Sequence, residues 1–208
     1  MRAVVSLVLV GICALAGDLR AQGARPASPA GSAAVEVRGR FVNGSEGPVY
    51  RDGKWIELTF GRPIKRGRDL FGAGDAYGKV LNAGAPVWRA GANATTRLKT
   101  EVPLGLGGRT VAPGEYSVFV DLKTGAWTLI LSTWAAQTQY DAANKNALWG
   151  SYGYTPDKDV ARAPMKLDGL PHTVEQLAWE FVDVTDAGGT LVLRWDKTMA
   201  SVPFTIGR

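Results

Sequence analysis

Most residue groupings in this chain that could carry chemistry fail on spacing. Gly72 to Lys79 (GAGDAYGK) has the composition of a phosphate-cradling loop. It is one residue too long for GxxxxGK, and Val80 stands where a hydroxyl would hold magnesium. Read as GxGxxG, it carries Tyr77 in place of the third glycine. Gly150-Ser151-Tyr152-Gly153 lacks the GxSxG spacing of a nucleophile elbow. With one histidine (His172) and one cysteine (Cys13), neither a usual zinc site nor a cysteine framework can be built. Asp157-Lys158-Asp159 opens like a calcium loop, but Arg162 replaces the turn glycine and no glutamate closes it, so a surface turn is expected. No metal and no cofactor is expected. Carboxylates such as Glu57, Glu115 and Glu180 are the remaining means of hydrolysis, and sequence cannot set two of them at catalytic separation.

The charge distribution is less bland. Residues 61–110 hold nine basic side chains against three acidic ones, a net of +6, while the whole chain of 208 residues carries +5. The same stretch is dense in glycine. Arg62 precedes Pro63, which biases it towards extended geometry and a fixed direction. In Val87-Trp88-Arg89, strand alternation sends Arg89 to the face opposite Trp88, and Gly91-Ala92-Asn93 then turns the chain. Two readings follow. The arginines pin long loops by bonding to carbonyl oxygens, or Arg62, Arg68 and Arg89, with Lys79 and Asn93, line a shared basic pocket for an anion.

The elements that must position these residues are strands. Apolar residues alternate at Ile56/Leu58/Phe60, Tyr116/Val118/Val120/Leu122, Trp127/Leu129/Leu131, Leu191/Leu193/Trp195 and Val202/Phe204/Ile206. Turn residues separate the runs: Asp52-Gly53 as a hairpin signal before the Trp55 strand, Pro113-Gly114, Thr124-Gly125 and Gly188-Gly189. The pattern predicts an all-β fold, a single-domain antiparallel β-sandwich with a jelly roll among its forms and at most one short helix. Trp134 to Trp149 is the one stretch read as either a short helix or an irregular insertion. Of seven tryptophans, Trp127 and Trp195 are expected in the core, and Trp134 and Trp149 are the candidates for a surface role.

The amino terminus reads as an export signal. Met1-Arg2 precedes the apolar run Val4–Ala16, too short to span a bilayer, and small-residue cleavage sites follow. The expected organisation is residues 1–21 as signal peptide, 22–34 as a flexible Ala/Pro/Gly/Ser-rich lead-in and 35–208 as the β-sandwich domain. No second apolar run of membrane-spanning length exists, so no transmembrane segment is expected after processing, and the location is periplasmic or extracellular.

Several blocks together resemble a known family. Phe60-Gly61-Arg62-Pro63, Gly67-Arg68, Phe71-Gly72, Tyr77-Gly78-Lys79-Val80, Val87 to Asn93, Thr95-Thr96, Val111 to Ser117, Trp127 to Ile130, Trp149-Gly150-Ser151-Tyr152 and Leu193-Arg194-Trp195 are similar to the bacterial exported family called domain of unknown function 2911. The resemblance spans residues 55 to 206 and implies export and a compact β-rich domain; it supplies no activity. The leading expectation is a non-enzymatic exported or envelope-associated binding module with a basic, anion-preferring pocket. Its partner would be an anionic small molecule or an envelope polymer, not nucleic acid. The alternative is an envelope hydrolase with paired carboxylates.

Overall fold

The computed structural model of the chain describes residues 26–207. The expected signal peptide, residues 1–21, lies outside the described residues. Fourteen strands make up most of the rest: β1 (Ala30–Val37), β2 (Arg40–Gly44), β3 (Gly47–Arg51), β4 (Lys54–Gly61), β5 (Thr96–Thr100), β6 (Leu104–Leu106), β7 (Arg109–Val111), β8 (Gly114–Asp121), β9 (Thr128–Ser132), β10 (Ala135–Ala136), β11 (Ala147–Leu148), β12 (Asp159–Pro164), β13 (Lys166–Thr185) and β14 (Gly188–Ile206). A six-stranded antiparallel sheet, ordered β1-β4-β5-β8-β9-β12, packs on a four-stranded sheet, ordered β13-β14-β6-β7. The all-β expectation holds: antiparallel sheets face one another across one core, with no closed barrel.

The period-two residues fill that core. Ile56, Leu58 and Phe60 of β4, Val118 and Val120 of β8, and Leu129 and Leu131 of β9 are buried against Leu191, Leu193 and Trp195 of β14. Trp127 and Trp195 are buried as expected. The middle of the large sheet is covered on both faces. Phe119 and Ile130, paired across β8 and β9, point away from the main core into a second cluster with Val87, Leu148 and Tyr154.

The cover is the segment from Trp134 to Trp149 and its continuation to Lys158. It is an irregular insertion, not a helix, held by the two-residue parallel pair β10–β11. Without an apolar stripe at helical spacing it has no face for a helix to bury; it docks through single anchors, Leu148 and Trp134. The one α-helical turn among the described residues lies elsewhere, at Lys79–Asn82 (α1).

Two other expectations change. Ala30 to Ala34, assigned to the lead-in, form the first half of β1, because β4 supplies a continuous ladder from Ala30↔Gly61 to Val37↔Lys54. Pairing, not propensity, makes this strand. Asp52-Gly53 is a corner between β3 and β4, which do not pair. The hairpin sits earlier, between β2 and β3, closed at Gly44↔Gly47. Strands β2 and β3 are a ribbon inserted between β1 and β4, and Phe41 on it is 73% exposed.

From Arg62 to Thr95 the chain leaves the large sheet and wraps the end of the sandwich. Leu177 N–H donates to Pro63 O at 3.0 Å and Lys65 N–H to Glu175 O at 2.7 Å, tying the segment to β13. Further on, Phe71 packs on Trp127 with ring centroids 5.0 Å apart. Trp88 exchanges main-chain hydrogen bonds with Val120 at 2.9 and 2.8 Å, and its ring stacks on Trp195 in the core, 5.9 Å between centroids. Its indole N–H donates to Gly91 O at 3.1 Å, and that of Trp179 to Ala90 O at 2.9 Å. Removing the second donor leaves a buried carbonyl without its partner. Trp179→Phe is expected to lower unfolding stability by about 1–3 kcal/mol, read from urea denaturation midpoints. A loss under about 0.5 kcal/mol, the range of an ordinary surface change, would show that the bond is not needed.

Candidate functional site

Outward-facing positions of the large sheet line up in one polar row. Register pairs Ser32 with Thr59, Thr59 with Arg97, Arg97 with Ser117, Ser117 with Ser132 and Ser132 with Asp159, so one row crosses all six strands. Above its first three members lies a cleft of about 540 Å³. Ser32, Thr59 and Arg97 form the floor, the turn Ala92–Thr95 one wall, and Gln137 and Thr138 another. Arg97 is the one charged residue lining it, and Glu115 on β8 pairs with its guanidinium.

The walls are set by local geometry. Gly61 lies so close to the 92–95 turn that a methyl group there would overlap the Ala92 carbonyl. Asn93 adopts φ +63° and donates its side-chain amide to Ser28 O at 3.2 Å. Thr95, buried, places its hydroxyl between two carbonyls of the insertion, Leu148 O at 3.0 Å and Gly150 O at 2.7 Å. Behind the turn, Arg89 donates to Asn93 O at 2.7 Å and lies 5.3 Å from the centre of the Tyr152 ring. Its guanidinium fills the space a side chain would take on Gly150, whose φ of +65° favours glycine. The blocks Val87–Asn93, Thr95-Thr96 and Trp149–Tyr152, scattered in sequence, thus meet in one place.

The five residues expected to form an anion pocket are distributed as follows. Arg62 donates to Leu177 O at 3.1 Å, its stem lying across Gly31. Arg68 is exposed and closes its own loop, donating to Lys65 O at 3.0 Å and Ile64 O at 2.7 Å. Arg89 serves the 92–95 turn. Lys79 is exposed at the start of α1 and pairs with no carboxylate among the described residues. Asn93 alone of the five lines the cleft. The three arginines each bond to main-chain carbonyls of a different segment, the loop-pinning arrangement. The residues that do meet, Ser32, Thr59, Arg97 and Gln137, are visible only once register is known. Their one sequence signal is polar residues alternating with the inward apolar ones on β4 and β5.

A second polar cluster locks the insertion to β12. The Tyr154 hydroxyl donates to Asp159 Oδ2 at 2.7 Å, Arg162 Nη1 donates to the same oxygen at 2.7 Å, and Arg162 Nη2 reaches Asp121 at 3.4 Å. Burial, and then the hydrogen bond to the Asp159 carboxylate, hold the Tyr154 phenol well above its usual range, against the opposing charge of Arg162. The sign for stability follows from proton uptake. Above about pH 10 an unfolded tyrosine loses its proton while the folded one keeps it, so stability falls as pH rises. Urea midpoints measured from pH 9 to 11 are expected to drop more steeply for the native chain than for Tyr154→Phe. Equal slopes would remove this cluster as the source.

No curated protein and no solved structure matches the chain. The model of one protein family matches residues 48–204. That span covers β4 to β13, all but the last two residues of β14, and the cleft lining except Ser28 and Ala30 to Ser32, and by it the chain belongs to the DUF2911 family of proteins of unknown function.

Proposed function

We propose that the chain is an exported, non-enzymatic binding module whose ligand sits in the outer-face cleft and presents an anionic group to Arg97. The supporting observation is the cleft itself: a concave site of about 540 Å³ with hydroxyl and amide groups around a single guanidinium. Its size is that of a small-molecule pocket, roughly 300–1,000 Å³. The hydroxyls of Ser32 and Thr59 and the amide of Asn93 suit a ligand rich in hydroxyl groups, each able to give and accept hydrogen bonds. A guanidinium adds planar, charge-assisted bonds to a carboxylate or phosphate. Preference for an anion thus rests on Arg97 in place of the arginines expected from the sequence. The carboxylates named for hydrolysis do not line the cleft: Glu180 pairs with Arg194 on β14, Glu57 lies opposite Lys99, and Glu115 pairs with the Arg97 guanidinium, so an anionic ligand shares or displaces that half-exposed pair. Export rests on the Val4–Ala16 run.

The test uses uronic acids and sugar phosphates as probes in a thermal-shift assay of the folded chain, since a ligand of the native state raises its melting temperature. Arg97→Gln is expected to abolish the shift while the ligand-free melting temperature stays nearly constant, because an ion pair this exposed contributes at most about 1 kcal/mol. Absence of any shift with the native chain, or an unchanged shift with Arg97→Gln, would overturn the reading.

A further inference from the structure

Beside the cleft, on the far side of Gln137, the insertion forms a smaller basin of about 260 Å³. Three aromatic residues line it. Tyr140 is 62% exposed and Tyr152 49%, and Tyr140 meets the half-buried Trp149 edge to face with ring centroids 6.0 Å apart. Such exposure is unusual for rings in a domain whose other tryptophans and phenylalanines mostly find cover. Asp141, Asn144 and Lys145 also line it, and the Lys145 ammonium donates to Ala142 O at 2.7 Å.

The loop carrying these groups is rigid without being regular. The buried Gln137 side chain acts as its hub. Its Nε2 lies within hydrogen-bonding distance of three carbonyls, Asp141 O at 3.1 Å, Asn144 O at 3.2 Å and Ala147 O at 2.8 Å, and its Oε1 accepts from Asp141 N–H at 2.8 Å. Asp141 Oδ1 accepts from Ala143 N–H, and Asn144 Oδ1 from Asn146 N–H. The Arg89 guanidinium against Tyr152 links that ring to the 92–95 turn. The basin is therefore preformed, and a ligand entering it meets little ordering cost.

A pyranose ring is apolar on its C–H faces and polar around its rim. An aromatic surface beside carboxylate, amide and ammonium groups matches both properties at once, through dispersion to the face and hydrogen bonds to the rim hydroxyls. A volume of 260 Å³ is below that of a drug-sized site and accommodates one ring. Gln137 lines both spaces, so the two are neighbours on one face of the molecule.

We propose that Tyr140, Trp149 and Tyr152 form a carbohydrate subsite that stacks a single pyranose ring of an oligosaccharide whose acidic residue lies in the neighbouring cleft. The proposal rests on the binding reading above and assigns its ligand class, an acidic glycan.

Two probe sets separate the subsites: neutral tetrasaccharides (cellotetraose, maltotetraose and chitotetraose) and the acidic tetragalacturonate, each titrated by isothermal calorimetry and tryptophan fluorescence. At least one neutral tetrasaccharide is expected to bind. Trp149→Ala and Tyr140→Ala are each expected to weaken it by about tenfold, the fold-change of losing one well-placed aromatic contact. Arg97→Gln should leave neutral binding within about twofold and weaken tetragalacturonate. Tyr140 is mostly exposed, so its variant keeps the test valid if Trp149→Ala fails to fold. Tetragalacturonate binding that falls with Arg97→Gln but is indifferent to both aromatic variants would overturn the subsite and leave the cleft reading standing. Binding of none of the four probes would overturn the subsite as well. A proline-rich peptide that binds through Tyr140 and Trp149 where the sugars do not would replace it with a peptide site.

Discussion

A buried indole must give its N–H to an acceptor, and this requirement organises the molecule. A tryptophan placed in a core brings a large apolar surface together with one donor that water no longer satisfies. Here the acceptors are carbonyls of the long segment that follows β4: Gly91 for Trp88 and Ala90 for Trp179. Trp127 uses the Tyr77 hydroxyl of the same segment, at 2.8 Å. The rings belong to the core and their partners to a stretch with almost no regular structure. The indoles therefore carry the order of the sandwich into the loop. What they order is the approach to the 92–95 turn, and the turn is a wall of the cleft.

The arginines of the same stretch extend this division of labour. Their guanidinium groups meet carbonyl oxygens along the irregular path, at Ile64, Lys65 and Asn93, and one on the neighbouring strand β13, at Leu177. A net of +6 over fifty residues looks like a field aimed at an anion. Folded, most of it is spent locally, and Lys65 is neutralised by Asp196 at 2.7 Å. Charge counted along a sequence measures donors available; it carries no information on whether they converge.

The two sheets were legible because burial on one face leaves a period of two. Ile56, Leu58 and Phe60, or Leu191, Leu193 and Trp195, can be read as inward positions before any pairing is known. The doubly covered centre was less legible. Phe119 and Ile130 interrupt the alternation, and a continuous apolar run indicates burial on both faces without naming the cover. Strand β1 escaped because Ala, Gly and Ser carry weak strand preference and β4 decides their conformation. The cleft was hidden for a geometric reason: Ser32, Thr59 and Arg97 are separated by up to 65 positions and become neighbours only through register. Trp149 was recognisable as an outlier among the tryptophans; its companions Tyr140 and Tyr152 were not, since nothing in their spacing places them on one rim.

The ends of the insertion sit side by side. Ser132 and Asp159 are register partners, and Thr133 N–H and the Ser132 hydroxyl both donate to Lys158 O, at 2.8 and 3.1 Å. The excursion thus leaves and re-enters the sheet through a closed neck that β9 and β12 would form without it. For a loop anchored in this way, doubling its length adds only about 0.6 kcal/mol of closure entropy. The insertion is in effect a cassette: its length can drift while the ladder beneath continues to fold, provided its anchors still cover Phe119 and Ile130.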